Sequence, residues 1–168
     1  MTYAIISQDR VVGLAPTEPD LPRSIEVQDV SGVLGIEIGW SRQDGAWVAP
    51  ELPAADLVAR AGARRQRAEN AGVAFAAAGG SRWHSDRASV ARMMADRISA
   101  LTDATRTALW HDADGASRAL SARDVMAVTD AINAHLRACA DAYKAAVDGI
   151  EAGAIKTSAG IAAVSWPA

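Results

Sequence analysis

Two of the three histidines in this chain directly follow a tryptophan and lie close to an aspartate, in Trp83-His84-Ser85-Asp86 and Trp110-His111-Asp112. Imidazole and carboxylate are the side chains that ligate divalent metals and move protons near neutral pH. If the two strands carrying them pair, alternation along a strand puts the tryptophans on one face and the histidines on the other. Two imidazoles beside Asp86 or Asp112 would then make a metal site or a pH-sensitive cluster. The plainer expectation is a pair of cross-strand aromatic contacts that fix the sheet, worth about 0.2–1 kcal/mol each, and it is preferred. Nothing specifies a Ser-His-Asp triad. No Gly-x-Gly-x-x-Gly follows a strand, and neither Gly-x-x-x-x-Gly-Lys nor Gly-x-Ser-x-Gly occurs. The loop Asp112-Ala113-Asp114-Gly115 is not a calcium loop, because Arg123 stands where the bidentate carboxylate is needed and Ala116 fills a ligand position. It reads as a hairpin turn. The third histidine, His135, lies beside an apolar helical stripe and is expected to be partly buried or at an interface. No catalytic residue, cofactor or metal is assigned, and the chain is read as a non-enzyme.

The elements that must position these residues fall into two parts. Residues 1–52 carry a formal charge of −5, and five of the six prolines lie before residue 54. Short β-rich runs occur at Tyr3–Ser7, Ile25–Val30, Leu34–Gly39 and Ala46–Ala49, with Asp44-Gly45 as a hairpin turn. The expectation is a small antiparallel β module over 1–52, with Pro16–Pro22 as a loop. A connecting helix follows over 53–72, with Pro53 near its first position, Leu57, Ala61 and Ala68 on its apolar face, and Gly72 closing it. Arg60, Arg64 and Arg67 line one side of it and read as a solvated face.

Residues 73–153 then read as an α+β domain. Short strands at Gly72–Phe75 and Ser81–Ser85 lead into a helix from Asp86 to Leu101, whose apolar stripe is Val90, Met94, Ile98 and Leu101. A second hairpin, Thr105–Trp110 and Ala116–Leu120, precedes the longest helix. Ser121-Ala122-Arg123-Asp124 opens that helix as a near capping box. Its apolar residues run from Val125 to Ile150 in an eleven-residue pattern, so the stripe stays almost straight. Residues 154–168 form an apolar tail. The fold class is therefore α+β: a small N-terminal antiparallel β module, then a helix–hairpin–helix–hairpin–long helix domain.

Composition bears on how such elements are covered. The 168 residues include 39 alanines but only 33 of Ile, Leu, Val and Phe together. Alanine removes little apolar area from water, and stabilisation follows that area at roughly 25 cal/mol/Å². A thin core is expected, with part of the long helix meeting another chain. The candidate interface residues are Trp40, Trp47, Val125, Ile132, Leu136, Tyr143, Val147 and Trp166, with one of Trp40 and Trp47 expected in a core. A homo-oligomer, with a trimer as the natural choice, follows as the expectation. No apolar run is long enough to insert into a bilayer, and the N-terminus does not read as a signal peptide. The single cysteine, Cys139, excludes an internal disulfide, and a pI near 5.6 argues against nucleic acid as a partner.

Order and spacing over residues 63–152 resemble a domain of unknown function common in tailed-phage tail and tail-fibre proteins. The residues that carry the resemblance are Arg64-Arg65 with Glu69, Ser85-Asp86-Arg87-Ala88-Ser89, Trp110 with Asp114-Gly115, and Ala131 with His135 and Cys139. Ile38-Gly39-Trp40 with Asp44-Gly45 and Pro50 is similar to a segment that often precedes that domain, and Ser165-Trp166-Pro167 to its usual ending. Ser165 replaces the usual Gly, and Ala76–Gly80 lacks the usual Asn-Gly. The resemblance transfers no catalytic residue. It implies a structural or adsorption-related tail component, a fibre or a tail-tip or baseplate accessory protein, bound to other tail proteins in the virion after synthesis in the host cytoplasm. A tail-fibre assembly chaperone and a small metal-dependent hydrolase are the alternatives.

Overall fold

The computed structural model describes residues 1–33, 35–75 and 82–167. The chain is α+β, and it divides into two compact units, one of residues 1–57 with 150–163 and one of residues 58–149 with 164–168. The stretch after the long helix, read from sequence as a tail, is thus shared between the two units.

The first unit is built on a five-stranded antiparallel sheet in the order β3-β1-β2-β4-β5. Its strands are β1 (Tyr3–Ser7), β2 (Arg10–Ala15), β3 (Glu26–Asp29), β4 (Ser41–Gln43) and β5 (Ala46–Val48). Gln8 and Asp9 both have positive φ and join β1 to β2 in two residues, and Asp44-Gly45 does the same between β4 and β5. That backbone suits the right-handed twist of the flanking strands. Between β1 and β2 the register slips after Ile5, leaving Val12 as the extra residue of a bulge with its side chain half in water. Ala4, Ile6, Val11, Val30 and Trp40 form the core.

Strand β2 was not foreseen, and the strand expected over Leu34–Gly39 is absent among the described residues 35–39; Leu34 lies outside them. Gly35 and Gly39 both take positive φ, which interrupts an extended run, and Gly39 instead donates to the Val11 carbonyl (2.8 Å). The chain between 150 and 163 adds a backbone bond from Leu52 to the Lys156 carbonyl (2.9 Å) and a short helix α4 (Ser158–Ala162) that buries Ile161.

Helix α1 (Ala54–Asn70) starts directly after Pro53 and buries Leu57, Ala61 and Ala68, the expected face. In the second unit it is followed by β6 (Val73–Ala74) and β7 (Arg82–Trp83), which pair antiparallel. The turn expected over Ala76–Gly80 lies outside the described residues. Helix α2 (Arg87–Thr102), the hairpin β8 (Thr107–His111) and β9 (Ser117–Ser121), and helix α3 (Ala122–Glu151) complete it. Ser121 and Asp124 cap α3 reciprocally: the Asp124 N–H donates to Ser121 Oγ, and the Ser121 N–H to the Asp124 carboxylate (3.2 Å each). Trp83, Met93, Trp110, Leu120, Val125, Val128 and Ile132 are central to the core, with Ala100, Ala108 and Ala122 filling gaps between them.

Helix α2 presents a different face from the expected one. It buries Ser89, Met93 and Ala100; of the expected stripe Val90 packs against the core and Met94 is half-buried, while Ile98 and Leu101 are each 66% exposed. Polar anchors set this rotation. Arg97 donates to the Met126 carbonyl (3.0 Å) and Thr129 Oγ1 (2.5 Å) of α3 and pairs with Asp130 (2.7 Å), while Asp96 accepts the Trp110 indole N–H (2.7 Å). Hydrogen bonds to charged groups contribute about 1.5–3 kcal/mol each.

Candidate functional site

Trp83 and Trp110 meet edge to face, with ring centroids 5.9 Å apart and planes at 72°. The expected cross-strand aromatic contacts within one sheet do not form, because β7 and β8 lie in separate two-stranded sheets and do not pair. Instead the Ala113 N–H at the tip of the β8–β9 hairpin donates to the Arg82 carbonyl (2.7 Å), which brings the two hairpins together. With both indoles turned into the core, His84 and His111 point outward and line one cleft of about 520 Å³ with Asp86, Arg92, Met93, Asp96 and Leu109.

The cleft's two carboxylates already have donors from the chain. Asp86 is the N-cap of α2 and accepts from the backbone N–H of Ala88 (3.0 Å) and Ser89 (3.1 Å). The Ser89 hydroxyl, with these N–H groups and the nearby His84, holds its carboxyl below the usual carboxylate range. Asp96 binds the Trp110 indole and pairs with Arg106 (3.4 Å). Asp112, weighed from sequence as a partner for the histidines, is buried and organises the hairpin turn. It accepts from the N–H groups of Asp114 (3.1 Å) and Ala116 (2.7 Å) and from Arg118 Nε (3.1 Å). His111 Nδ1 shares a proton with Ser117 Oγ (3.1 Å), its direct cross-strand neighbour. Among the described residues no three His, Cys, Asp or Glu side chains are grouped to hold a metal ion.

His135 and Cys139 serve packing. His135 Nε2 lies 2.9 Å from the Ala68 carbonyl at the end of α1, and Cys139 Sγ lies 3.6 Å from the same nitrogen. Burial pushes the Cys139 thiol pKa up, the Glu69 charge adds to this and Arg65 opposes it. Arg65 in turn pairs with Glu69 (2.6 Å) and stacks over Tyr143 (5.5 Å).

The expected interface residues separate into two groups. Trp40, Val125 and Ile132 are buried in the chain's own cores and are not available to a partner. The eleven-residue stripe found their side of the helix correctly, but that side is covered from within: α3 also buries Val128, Cys139, Ala142 and Ala146. Trp47, Leu136, Tyr143, Val147 and Trp166 are half-buried, with Arg42 over the Trp47 ring (5.9 Å). The most exposed bulky side chains of the second unit are ones the sequence reading did not select: Ile98, Leu101 and, at 70%, Leu109. Arg92 and Asp96 of the cleft were also missed. The spacing Asp86, Ser89, Arg92, Asp96 repeats at three, three and four residues and is the sequence signal that marks this polar face of α2.

The structure thus defines an α+β protein whose second unit carries an open, charged cleft and an exposed apolar helix face. The chain belongs to the DUF4376 family, a domain of unknown function, whose model matches residues 51–165. No curated protein and no solved structure matches it.

Proposed function

We propose that this chain is a structural or adsorption-related component of a bacteriophage tail, a fibre or a tail-tip or baseplate accessory protein, that works by binding other proteins. The observation that carries the reading is the outer face of α2. Ile98 and Leu101 stand one turn apart at 66% exposure, and the half-buried Met94 lies one turn before Ile98. Single exposed aliphatic residues are ordinary, whereas an apolar stripe left in water marks a contact surface. Covering each such side chain fully is worth about 1.5–3 kcal/mol. The motif resemblance to phage tail proteins supplies the context, with other tail proteins and further copies of this chain as partners and the virion tail as the location. No helix among the described residues is long and apolar enough to cross a membrane.

Mass spectrometry of purified virions tests this. Peptides of the chain should be present at a fixed ratio to the major tail proteins. Their absence from virions, with the chain still needed for fibre formation, would replace a structural part by an assembly chaperone.

A further inference from the structure

Helix α1, the start of α2 and helix α3 line a groove of about 620 Å³ in the second unit. Half-buried Val90 and Leu136 give it an apolar lining, beside the Tyr143 ring with the Arg65 guanidinium stacked over it. Its charges are two guanidiniums, Arg65 and Arg87, against the one carboxylate of Glu69, which Arg65 already engages (2.6 Å). Arg87 is exposed and has no acceptor among the described residues, and the side-chain amides of Gln66 and Asn70, one turn apart on α1, have no partner among them either. Gly62 also lines the groove. Its φ is not positive, and a Cβ there would meet nothing within 4 Å, so neither conformation nor packing asks for glycine. Glycine costs a helix interior up to about 1 kcal/mol against alanine. What it supplies here is room beside the backbone.

The first unit carries a segment of matching chemistry. Pro16-Thr17-Glu18-Pro19-Asp20-Leu21-Pro22 runs between β2 and β3 without helix or strand, and its prolines recur every third residue. Each proline fixes its own φ and keeps the residue before it extended. The spacing is one turn of a polyproline helix, whose backbone makes no internal hydrogen bonds. Such a segment loses little freedom on docking. Glu18 and Asp20 are exposed and have no cationic partner among the described residues. The imbalance extends to the units: the first holds ten acidic and four basic residues, a net −6, and the second ten and thirteen, a net +3.

We infer that the groove receives the Pro16–Pro22 segment of a second copy of this chain. The prolines and Leu21 pack on Tyr143, Val90 and Leu136, as proline-rich segments do in aromatic-lined grooves. The carboxylates of Glu18 and Asp20 meet Arg87 and the face of Arg65 not used by Glu69. The amides of Gln66 and Asn70 each offer a donor and an acceptor to the unpaired backbone of the segment. This contact is electrostatic and separate from the apolar face of α2, and it does not rest on the tail assignment.

Sedimentation equilibrium of the full chain tests it in an Ile98→Gln, Leu101→Gln background, which takes the apolar face of α2 out of play. That protein should still associate at about 100 μM, a level suited to a small contact, and dissociate as salt rises from about 0.05 to 0.5 M. Gly62→Met fills the groove with a good helix former and should weaken association about tenfold or more, with an equal or higher melting temperature. Arg87→Glu should abolish association from the groove side, and Glu18→Arg with Asp20→Arg from the loop side. An equimolar mixture of these two proteins should associate again, because every loop then has a groove of opposite charge. A background protein monomeric at this concentration, unchanged association in Gly62→Met, or a mixture that stays monomeric would overturn the contact. None of these readouts involves virions, so this inference and the tail assignment fail separately.

Discussion

At the scale of single residues, the positions that matter most are those where backbone geometry or an isolated donor admits one solution. Gly72 has φ +81°, and a Cβ there would lie 2.8 Å from the Trp83 carbonyl oxygen, a backbone atom. Gly72→Ala therefore combines left-handed strain, about 1–2 kcal/mol, with a clash against β7. Thermal denaturation should show a loss of about 2 kcal/mol or more, well beyond Gly62→Ala, which meets open space on α1 and should stabilise. Asp86→Ala removes the cap of α2 and should cost about 1 kcal/mol. Because the folded-state pKa of Asp86 is depressed, its contribution is fully present above the ordinary carboxylate pKa, about 3.9. It is lost as pH falls through the lower folded value. Melting temperatures of the parent and Asp86→Ala proteins should therefore converge in acid below about pH 4 and stay apart above it. Cys139, buried and with its thiol pKa raised, should react with a thiol reagent only as the protein unfolds; fast labelling of the native protein would contradict that packing.

At the scale of elements, most helix and hairpin positions were legible because their signals are local. Pro53, Ser121 with Asp124, Asp44-Gly45 and Gly153 each set a boundary through their own backbone or side-chain chemistry, and each lies where its signal put it. Two features were not legible. Strand β2 pairs through a turn of Gln8 and Asp9, residues that take positive φ without being glycine, so no turn signal separated it from β1. The rotation of α2 depends on partners distant in sequence, Arg97 with α3 and Asp96 with Trp110, which a periodicity of apolar residues does not contain. The same cause hid half the cleft, since Arg92 and Asp96 acquire meaning only once β8 lies against α2. A pair of substitutions separates the two faces of this helix. Met93→Ala opens the core beside Trp83 and Trp110 and should cost about 2–5 kcal/mol, whereas Leu101→Gln should change the melting free energy by less than about 0.5 kcal/mol.

At the scale of the whole molecule, the question is whether a chain with so few bulky residues is complete alone. Each unit has its own core, and α3 is covered along much of its length by its own chain, so folding does not by itself demand a partner. The apolar case for association rests on the outer face of α2 and not on the stripe of α3. This moves the expected contact from Val125 and Ile132 to Ile98 and Leu101. If copies of the chain meet there, sedimentation of the purified protein should give an oligomer at micromolar concentration. The double change Ile98→Lys with Leu101→Lys should then weaken association by about 100-fold, the effect of losing about 3 kcal/mol of apolar burial. The melting temperature of the dissociated variant should match that of the parent measured below its dissociation constant, since neither side chain belongs to a core. A monomeric parent would show that this face serves a different partner chain, and the same double variant would then be expected to disappear from purified virions while remaining folded and soluble in the cell. A parent that stays monomeric, paired with a variant that enters virions normally, would remove α2 as the contact and leave the half-buried Tyr143 and Val147 of α3 as the surface to test.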